Sequence, residues 1–401
     1  LFRSKKGEDF MNNNFKYIKE EIEKEIQNCN ISGASVCIIK DGKEIYKDNF
    51  GFADKENNIK MADDTIFRMF SMTKPITATA IMILFERGKI DLYDPVSMYL
   101  EGFKNQKVIK DGKLSDVNRE MTIKDLLNMT SGLSYADDST ECGKCMSQLF
   151  DDVKRKLEEG SPINTLDFCN AIGKVPLAFQ PGDQWLYGTS ADILGAIVEV
   201  VSKKKFSEFL SEEIFKPLHM KDTAFYVPEE KRPRFAQIYK YNEEEKRLYP
   251  YLEDALGLDG YKVSTAFESG GAGLVSTIND YKKFALMLLN KGKYEDTRIL
   301  GSKTVEFMTQ NQLNEKQMQS MNWESLRGYG YGNLMRILIN QAEGQTNGSL
   351  GEFGWDGWTG NYITISPKDN MMFMYFIQRC DTGTSVFTRK LRSIVYSAIN
   401  Y

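Results

Sequence analysis

The chain has 401 residues, 41% hydrophobic, 27% charged and 12% aromatic, which is enough apolar material for a substantial core and too much for a disordered segment. Its 52 Lys and Arg against 56 Asp and Glu leave a net charge of −4, so no global basic field exists to hold a polyanion, which argues against nucleic acid as a partner. A single histidine, His219, excludes sites that need several imidazoles and leaves acid–base chemistry to Lys, Tyr and carboxylates.

Residues 1–9 are charged and lack an apolar core, so they read as disordered: either an export signal has been removed or a vector-derived remnant precedes Phe10. A cytoplasmic location is favoured, with export the alternative. Next come Ala34 to Lys40 and Lys43 to Phe50, β-branched runs around Asp41-Gly42, which predict a hairpin. Helical spacing of apolar residues follows at Thr122 to Met129, Ala191 to Lys203, Phe206 to Phe215 and Asn279 to Lys291, with Ser, Thr or Asn near several starts. Gly330 to Ile339 predicts one further strand, Asn361 to Ser366 and Met371 to Gln378 a second hairpin, and Ser385 to Asn400 a closing helix. The charge-dense stretches near Lys104 to Arg119 and Glu229 to Arg247 read as exposed connections.

Two hairpins distant in sequence most simply share one antiparallel sheet. The expected fold is therefore α/β: a sheet domain of residues 10–70 and 270–401, flanked by helices, with a mostly helical domain of 71–269 inserted. The longest apolar runs, Ala80 to Phe85 and Ile193 to Val198, fall far short of the ~18 residues that span a bilayer, so no transmembrane helix is expected. Six cysteines are too sparse for a disulfide scaffold, and most read as small buried residues. Cys142-Gly-Lys-Cys145 lacks a second such pair or a nearby His, so it reads as solvated loop thiols rather than a zinc site or labile disulfide.

The chemically informative segment is Phe67-Arg68-Met69-Phe70-Ser71-Met72-Thr73-Lys74-Pro75, ahead of the apolar-rich stretch Ile76 to Glu86. Ser71 and Lys74, three apart at a helix start, share one face about a turn apart. A buried lysine loses solvation of its charged form, so a neutral amine could take the serine proton while backbone N–H groups receive a developing oxyanion. Pro75 fits a first helical turn but biases Lys74 away from helical angles. Ser-x-x-Lys alone is weak and recurs at Ser202 to Lys205, within a lysine run that reads as a solvated helix end.

The surrounding words carry more. Phe67 through Pro75, Glu86-Arg87-Gly88-Lys89-Ile90-Asp91-Leu92, Asp94-Pro95-Val96, Leu126-Leu127-Asn128-Met129-Thr130-Ser131-Gly132-Leu133, Gln180-Pro181-Gly182, Ile214-Phe215-Lys216-Pro217-Leu218-His219-Met220 and Gly270-Gly271-Ala272-Gly273-Leu274-Val275-Ser276-Thr277 occur in order. Together they resemble the serine β-lactamase and penicillin-binding-protein superfamily, in its class C-like branch, over roughly residues 31–378.

In that superfamily a Tyr-x-Asn phrase sets a phenol beside the nucleophile, and Tyr187-Gly188-Thr189 stands in the matching place. The resemblance makes Tyr187 general base and acid. Thr189 lacks the two amide donors of Asn and becomes a pocket residue of altered binding capacity. The Lys-Thr-Gly phrase is matched by Trp355-Asp356-Gly357, which removes a cation and adds an anion, a change on the order of 1 kcal/mol or more against a β-lactam carboxylate. A Trp-x-Gly version is similar to the esterases and transacylases of the superfamily. By that resemblance Trp358 contributes a backbone N–H to an oxyanion hole with Ser71, and Trp355 walls the acyl pocket beside Asp356 and Gly357, with aromatic packing the competing role for Trp355. His219 receives no role.

The expectation is a serine hydrolase forming an acyl-enzyme at Ser71, an esterase or acyltransferase without metal or organic cofactor, acting on a small ester, amide or β-lactam-like molecule. The alternatives are a β-lactamase, DD-peptidase or small amidase, and, from a different class, a non-catalytic receptor that binds through an inherited cleft. Nothing in the sequence speaks to oligomeric state.

Overall fold

The computed structural model describes residues 5–253, 261 and 266–399, with side chains from residue 15 onward. Of the opening nine residues, 1–4 lie outside the described residues and 5–9 begin the first helix. The centre is an eight-stranded antiparallel sheet. Its strands are β1 (Gly33–Lys40), β2 (Lys43–Asp54), β3 (Ile59–Lys60), β4 (Tyr329–Gly332), β5 (Met335–Leu338), β6 (Phe353–Gly354), β7 (Tyr362–Ser366) and β8 (Met371–Phe376), in the order β4-β5-β6-β7-β8-β1-β2-β3. Both chain ends meet where β1 pairs with β8, Val36 opposite Tyr375 and Ile38 opposite Phe373.

Alternation along these two strands builds two cores. Val36, Ile38, Phe373 and Tyr375 face Phe15, Ile18, Leu391 and Val395, whereas Cys37, Ile39, Met372, Met374 and Phe376 join the large core beneath the site. Six helices frame the sheet and cleft: α1 (Lys5–Gln27), α2 (Lys74–Glu86), α3 (Glu141–Glu158), α4 (Ser190–Ser202), α5 (Ile278–Leu289) and α6 (Val386–Ile399). Helices α1 and α6 cover one face and α5 the other. α2 packs against α4 with its residues from Lys74 to Leu84 all buried, so it serves as a central pillar rather than an amphipathic surface helix.

The expected hairpin at Asp41-Gly42 forms with both turn residues at positive φ, 51° and 73°, as a two-residue turn requires. Gly330 to Ile339 departs from the expected single strand. Asn333 and Leu334 also adopt positive φ, 49° and 62°, and fold the run into the β4–β5 hairpin. The Leu334 N–H donates to Leu127 O at 2.8 Å and its side chain is fully buried, so tertiary contact holds a turn that leucine alone disfavours.

The charge-dense stretches also hold more structure than connections: Lys107–Lys110 pairs with Lys113–Asp116, and Tyr239–Asn242 with Arg247–Pro250. The helix expected over Phe206 to Phe215 runs as Phe206–Leu210 and continues as a π-helical turn over Ser211–Phe215. Cys142 and Cys145 sit in the first turns of α3, not in a solvated loop, and Cys142 is buried with its sulfur 3.1 Å from Ser134 Oγ. Among the described residues no helix is long and apolar enough to cross a membrane.

Candidate active site

The segment before Ser71 is pinned from several sides. Phe67 and Arg68 pair with Ser276 and Val275, the Met69 N–H donates to Leu274 O at 2.9 Å, and Asn361 Nδ2 donates to Arg68 O at 2.7 Å. Phe70 then turns at φ 45°, a left-handed conformation that is strained for a bulky side chain, into the 3-10 turn Phe70–Thr73 and on into α2. That sharp entry leaves Ser71 partly exposed while Lys74, one turn deeper, is fully buried. Lys74 is helical despite the following proline, at φ −57° and ψ −45°, and its amine is tied on three sides.

Those three partners are Ser71 Oγ at 3.0 Å, Tyr135 OH at 3.1 Å and Gly271 O at 2.9 Å. A neutral amine has two hydrogens and one lone pair. If the Gly271 carbonyl and the Tyr135 oxygen accept both hydrogens, the lone pair points at Ser71, which is the arrangement a base needs. Burial pushes the Lys74 ammonium down to about 7, against the raising pull of Asp192 and Asp356. Asp192 in turn accepts from Ser269 Oγ at 2.6 Å and from the Gly271 N–H at 3.0 Å, fixing the turn that offers the Gly271 carbonyl. A Cβ on Gly270 would fall 2.3 Å from Ala191 O, so glycine is needed for that turn to lie against α4.

Tyr187 lines the same cavity as Ser71, and its ring lies 4.6 Å from Lys74 Nζ. Burial holds its phenol well above the ordinary range; the nearby Ser71 hydroxyl and the Trp355 indole N–H pull it down, and Asp356 and Asp192 push it up. Trp358 closes a third side. Its indole N–H donates to Asp381 Oδ1 at 2.7 Å, its ring meets Phe70 edge to face, and its backbone N–H has no acceptor among the described residues. Gly357 lets this loop approach the nucleophile, since a Cβ there would fall 2.6 Å from Met69 O.

Ser71, Tyr187 and Trp358 line one cavity of about 600 Å³, whose other walls include Phe70, Tyr135, Phe150 and Tyr251. Thr189, Trp355, Asp356 and Gly357, expected as pocket residues, do not line it. Thr189 is fully buried with Oγ1 3.4 Å from Ser134 O. Trp355, 1% exposed, packs behind Tyr187 and donates its indole N–H to the phenol oxygen at 3.0 Å. The Asp356 carboxylate bonds Thr384 and lies 3.6 Å from the buried Arg336 guanidinium. Its charge is thus compensated from beneath, and the expected repulsion of an anionic substrate by Asp356 does not hold in that form.

The β-lactamase family profile, described as Beta-lactamase, matches residues 18–394. The chain belongs to the β-lactamase family. Among its relatives, Protein Rv1367c of Mycobacterium tuberculosis is 29% identical, covering 87% of this chain and 86% of that one. Esterase EstB of Burkholderia gladioli is 26% identical, covering 91% of each. Among solved structures, EstCE1, described as a hydrolase with promiscuous acyltransferase activity, superposes with a TM-score of 0.80 at 22% identity, over 97% of this chain and 99% of that one. The protein is a hydrolase of the serine β-lactamase fold.

Within this β-lactamase-family site, sequence reasoning passed over Tyr135, Asp192 and the Gly271 carbonyl. Tyr135 directly follows Leu133-Ser134 at the end of a family phrase, and a phenol there was a signal left unused. The cavity is also lined by charges from segments whose sequence carried no assignment. Asp138, Asp151 and Glu253 line it with Lys154, three carboxylates against one ammonium. His219 lines a different cavity with Phe215 and Tyr226.

Proposed function

We propose that the chain is a serine esterase or acyltransferase that forms an acyl-enzyme at Ser71, with Lys74 as base, Tyr187 as proton donor to the leaving group, and the backbone N–H groups of Ser71 and Trp358 receiving the oxyanion. The observation that carries this reading is the Lys74 amine, buried and held near neutrality 3.0 Å from Ser71 Oγ at the base of an aromatic-walled cavity. A receptor needs no such amine beside a hydroxyl. An anionic acyl group is disfavoured: the family's usual cation gives way to Trp355, and Lys154 in the cavity wall is outnumbered by Asp138, Asp151 and Glu253.

Mass spectrometry after incubation with a fluorophosphonate tests the nucleophile. An adduct mapping to Ser71, lost in Ser71→Ala, supports the acyl-enzyme, whereas an unmodified folded chain supports the receptor alternative. Turnover of p-nitrophenyl butyrate should exceed that of benzylpenicillin by about a hundredfold or more in kcat/KM. The reverse order would return the protein to β-lactamase or peptidase chemistry.

A further inference from the structure

Trp355 occupies the position where a cation would be expected, yet it neither reaches the cavity nor carries charge. Its indole is clamped, with ring centroids 5.1 Å from Tyr331 and 5.5 Å from Tyr187, and Nε1 lies 3.0 Å from the Tyr187 oxygen. An indole N–H can only donate, so the phenol oxygen must accept there. The phenol has a single hydrogen, and with the indole donating to its oxygen that hydrogen is left for an acceptor in the cavity that Tyr187 and Ser71 both line. A lysine at position 355 could stabilise a phenolate by charge; an indole cannot, and the carboxylates of Asp356 and Asp192 oppose one.

We propose that Trp355 is a positioning residue that fixes Tyr187 as a neutral hydrogen donor, its indole N–H turning the phenolic hydrogen toward the oxygen that leaves the tetrahedral intermediate. The proposal rests on the roles given above to Ser71, Lys74 and Tyr187. In the acylation step the Ser71 Oγ–carbon bond forms as Lys74 Nζ takes the hydroxyl hydrogen. The bond from the carbonyl carbon to the alcohol oxygen then breaks, that oxygen takes the Tyr187 hydrogen, and the Lys74 ammonium returns a proton to the phenolate. The products are the acyl-Ser71 ester, a neutral alcohol and the starting amine and phenol. The device matters in proportion to the basicity of the leaving oxygen: a departing ethoxide needs the proton, and a p-nitrophenolate departs without it.

The test is a leaving-group series at constant acyl chain, ethyl butyrate against p-nitrophenyl butyrate, for the wild type, Tyr187→Phe, Trp355→Phe and the double variant. Trp355→Phe should lower kcat/KM about tenfold or more for the ethyl ester and less than about threefold for the aryl ester. Tyr187→Phe should show the same selectivity more strongly, and the double variant should be no worse than Tyr187→Phe alone, because Trp355 acts through that phenol. Should Trp355→Phe fold poorly by circular dichroism, benzothienylalanine at position 355 keeps the bicyclic shape and removes only the N–H, with the same outcome expected. Equal losses on both esters, or additive losses in the double variant, overturn the proposal. A Tyr187→Phe enzyme that keeps full activity on the ethyl ester defeats instead the role given to Tyr187, and absence of the Ser71 adduct defeats the acyl-enzyme itself.

Discussion

A lysine can accept the serine hydrogen only while it is uncharged, so the pH at which Lys74 loses its proton should appear directly in the rate. With the amine held at about 7, kcat/KM for a p-nitrophenyl ester should rise with pH through about 7 and level off above it. The same group leaves a mark on stability, and its sign is opposite to that of a salt-bridged lysine. The unfolded ammonium titrates at its ordinary value of 10.5 and the folded one at about 7, so between these the unfolded chain binds more protons and stability rises with pH. Urea unfolding of wild type and Lys74→Met from pH 7 to 10 should show the wild type gaining on the variant, with the variant the more stable at pH 7 and devoid of turnover. A flat difference across that range would mean the folded amine keeps its ordinary proton affinity. At this scale the Ser71–Lys74 contact is legible in the sequence because residues three apart at a helix start share a face. Tyr135 is not, because sixty residues of chain separate it from the amine it touches.

Secondary-structure elements reach the site through β5. Arg336, 1% exposed on that strand, donates to Ile363 O at 2.8 Å and faces Asp356 at 3.6 Å, so a cation buried in the sheet balances the anion of the loop that carries Trp355 and Trp358. Removing the cation alone strands a carboxylate. Arg336→Met should therefore cost about 3 kcal/mol or more and lower kcat, whereas Arg336→Met with Asp356→Asn should recover much of both, because the pair is removed together. Chemical denaturation of the two single variants and the double variant measures the coupling; additive effects would show the two residues to be independent. The sequence explains why β5 itself is harder to see than β1. Asp41-Gly42 announces its turn by composition, whereas Asn333-Leu334 is held at positive φ by the Leu127 carbonyl, about two hundred residues earlier in the chain, and by burial of the leucine. Charge misleads in the same way at Lys107–Lys110 and Tyr239–Asn242, where pairing between neighbours overrides a composition that looks like loop.

The molecule as a whole separates stability from chemistry across the two faces of its sheet. On the α1 and α6 side, Glu352 is fully buried and accepts from Tyr329 OH at 2.7 Å, from Tyr396 and from Arg392 Nη1 at 3.3 Å, and Arg392 also reaches Tyr329 and Tyr362. This polar cluster joins β4, β7 and α6 and lies among the apolar residues Leu391, Val395 and Phe373, away from the Ser71 cavity. The continuous apolar runs of β1 and β8 suit a sheet covered on both faces. They say nothing of the cluster, because its members are scattered between Tyr329 and Tyr396 and meet only once the sheet and α6 have packed. Glu352→Gln leaves the Arg392 guanidinium buried without its anion, which should cost about 3 kcal/mol and lower the denaturation midpoint well below that of wild type. Because no member of the cluster lines the catalytic cavity, kcat and KM measured per folded molecule at 20 °C should stay within about twofold of wild type. A variant equally stable but slower would instead couple the α6 face to the site through β6 and the Trp355 loop, and the separation of the two faces would fail.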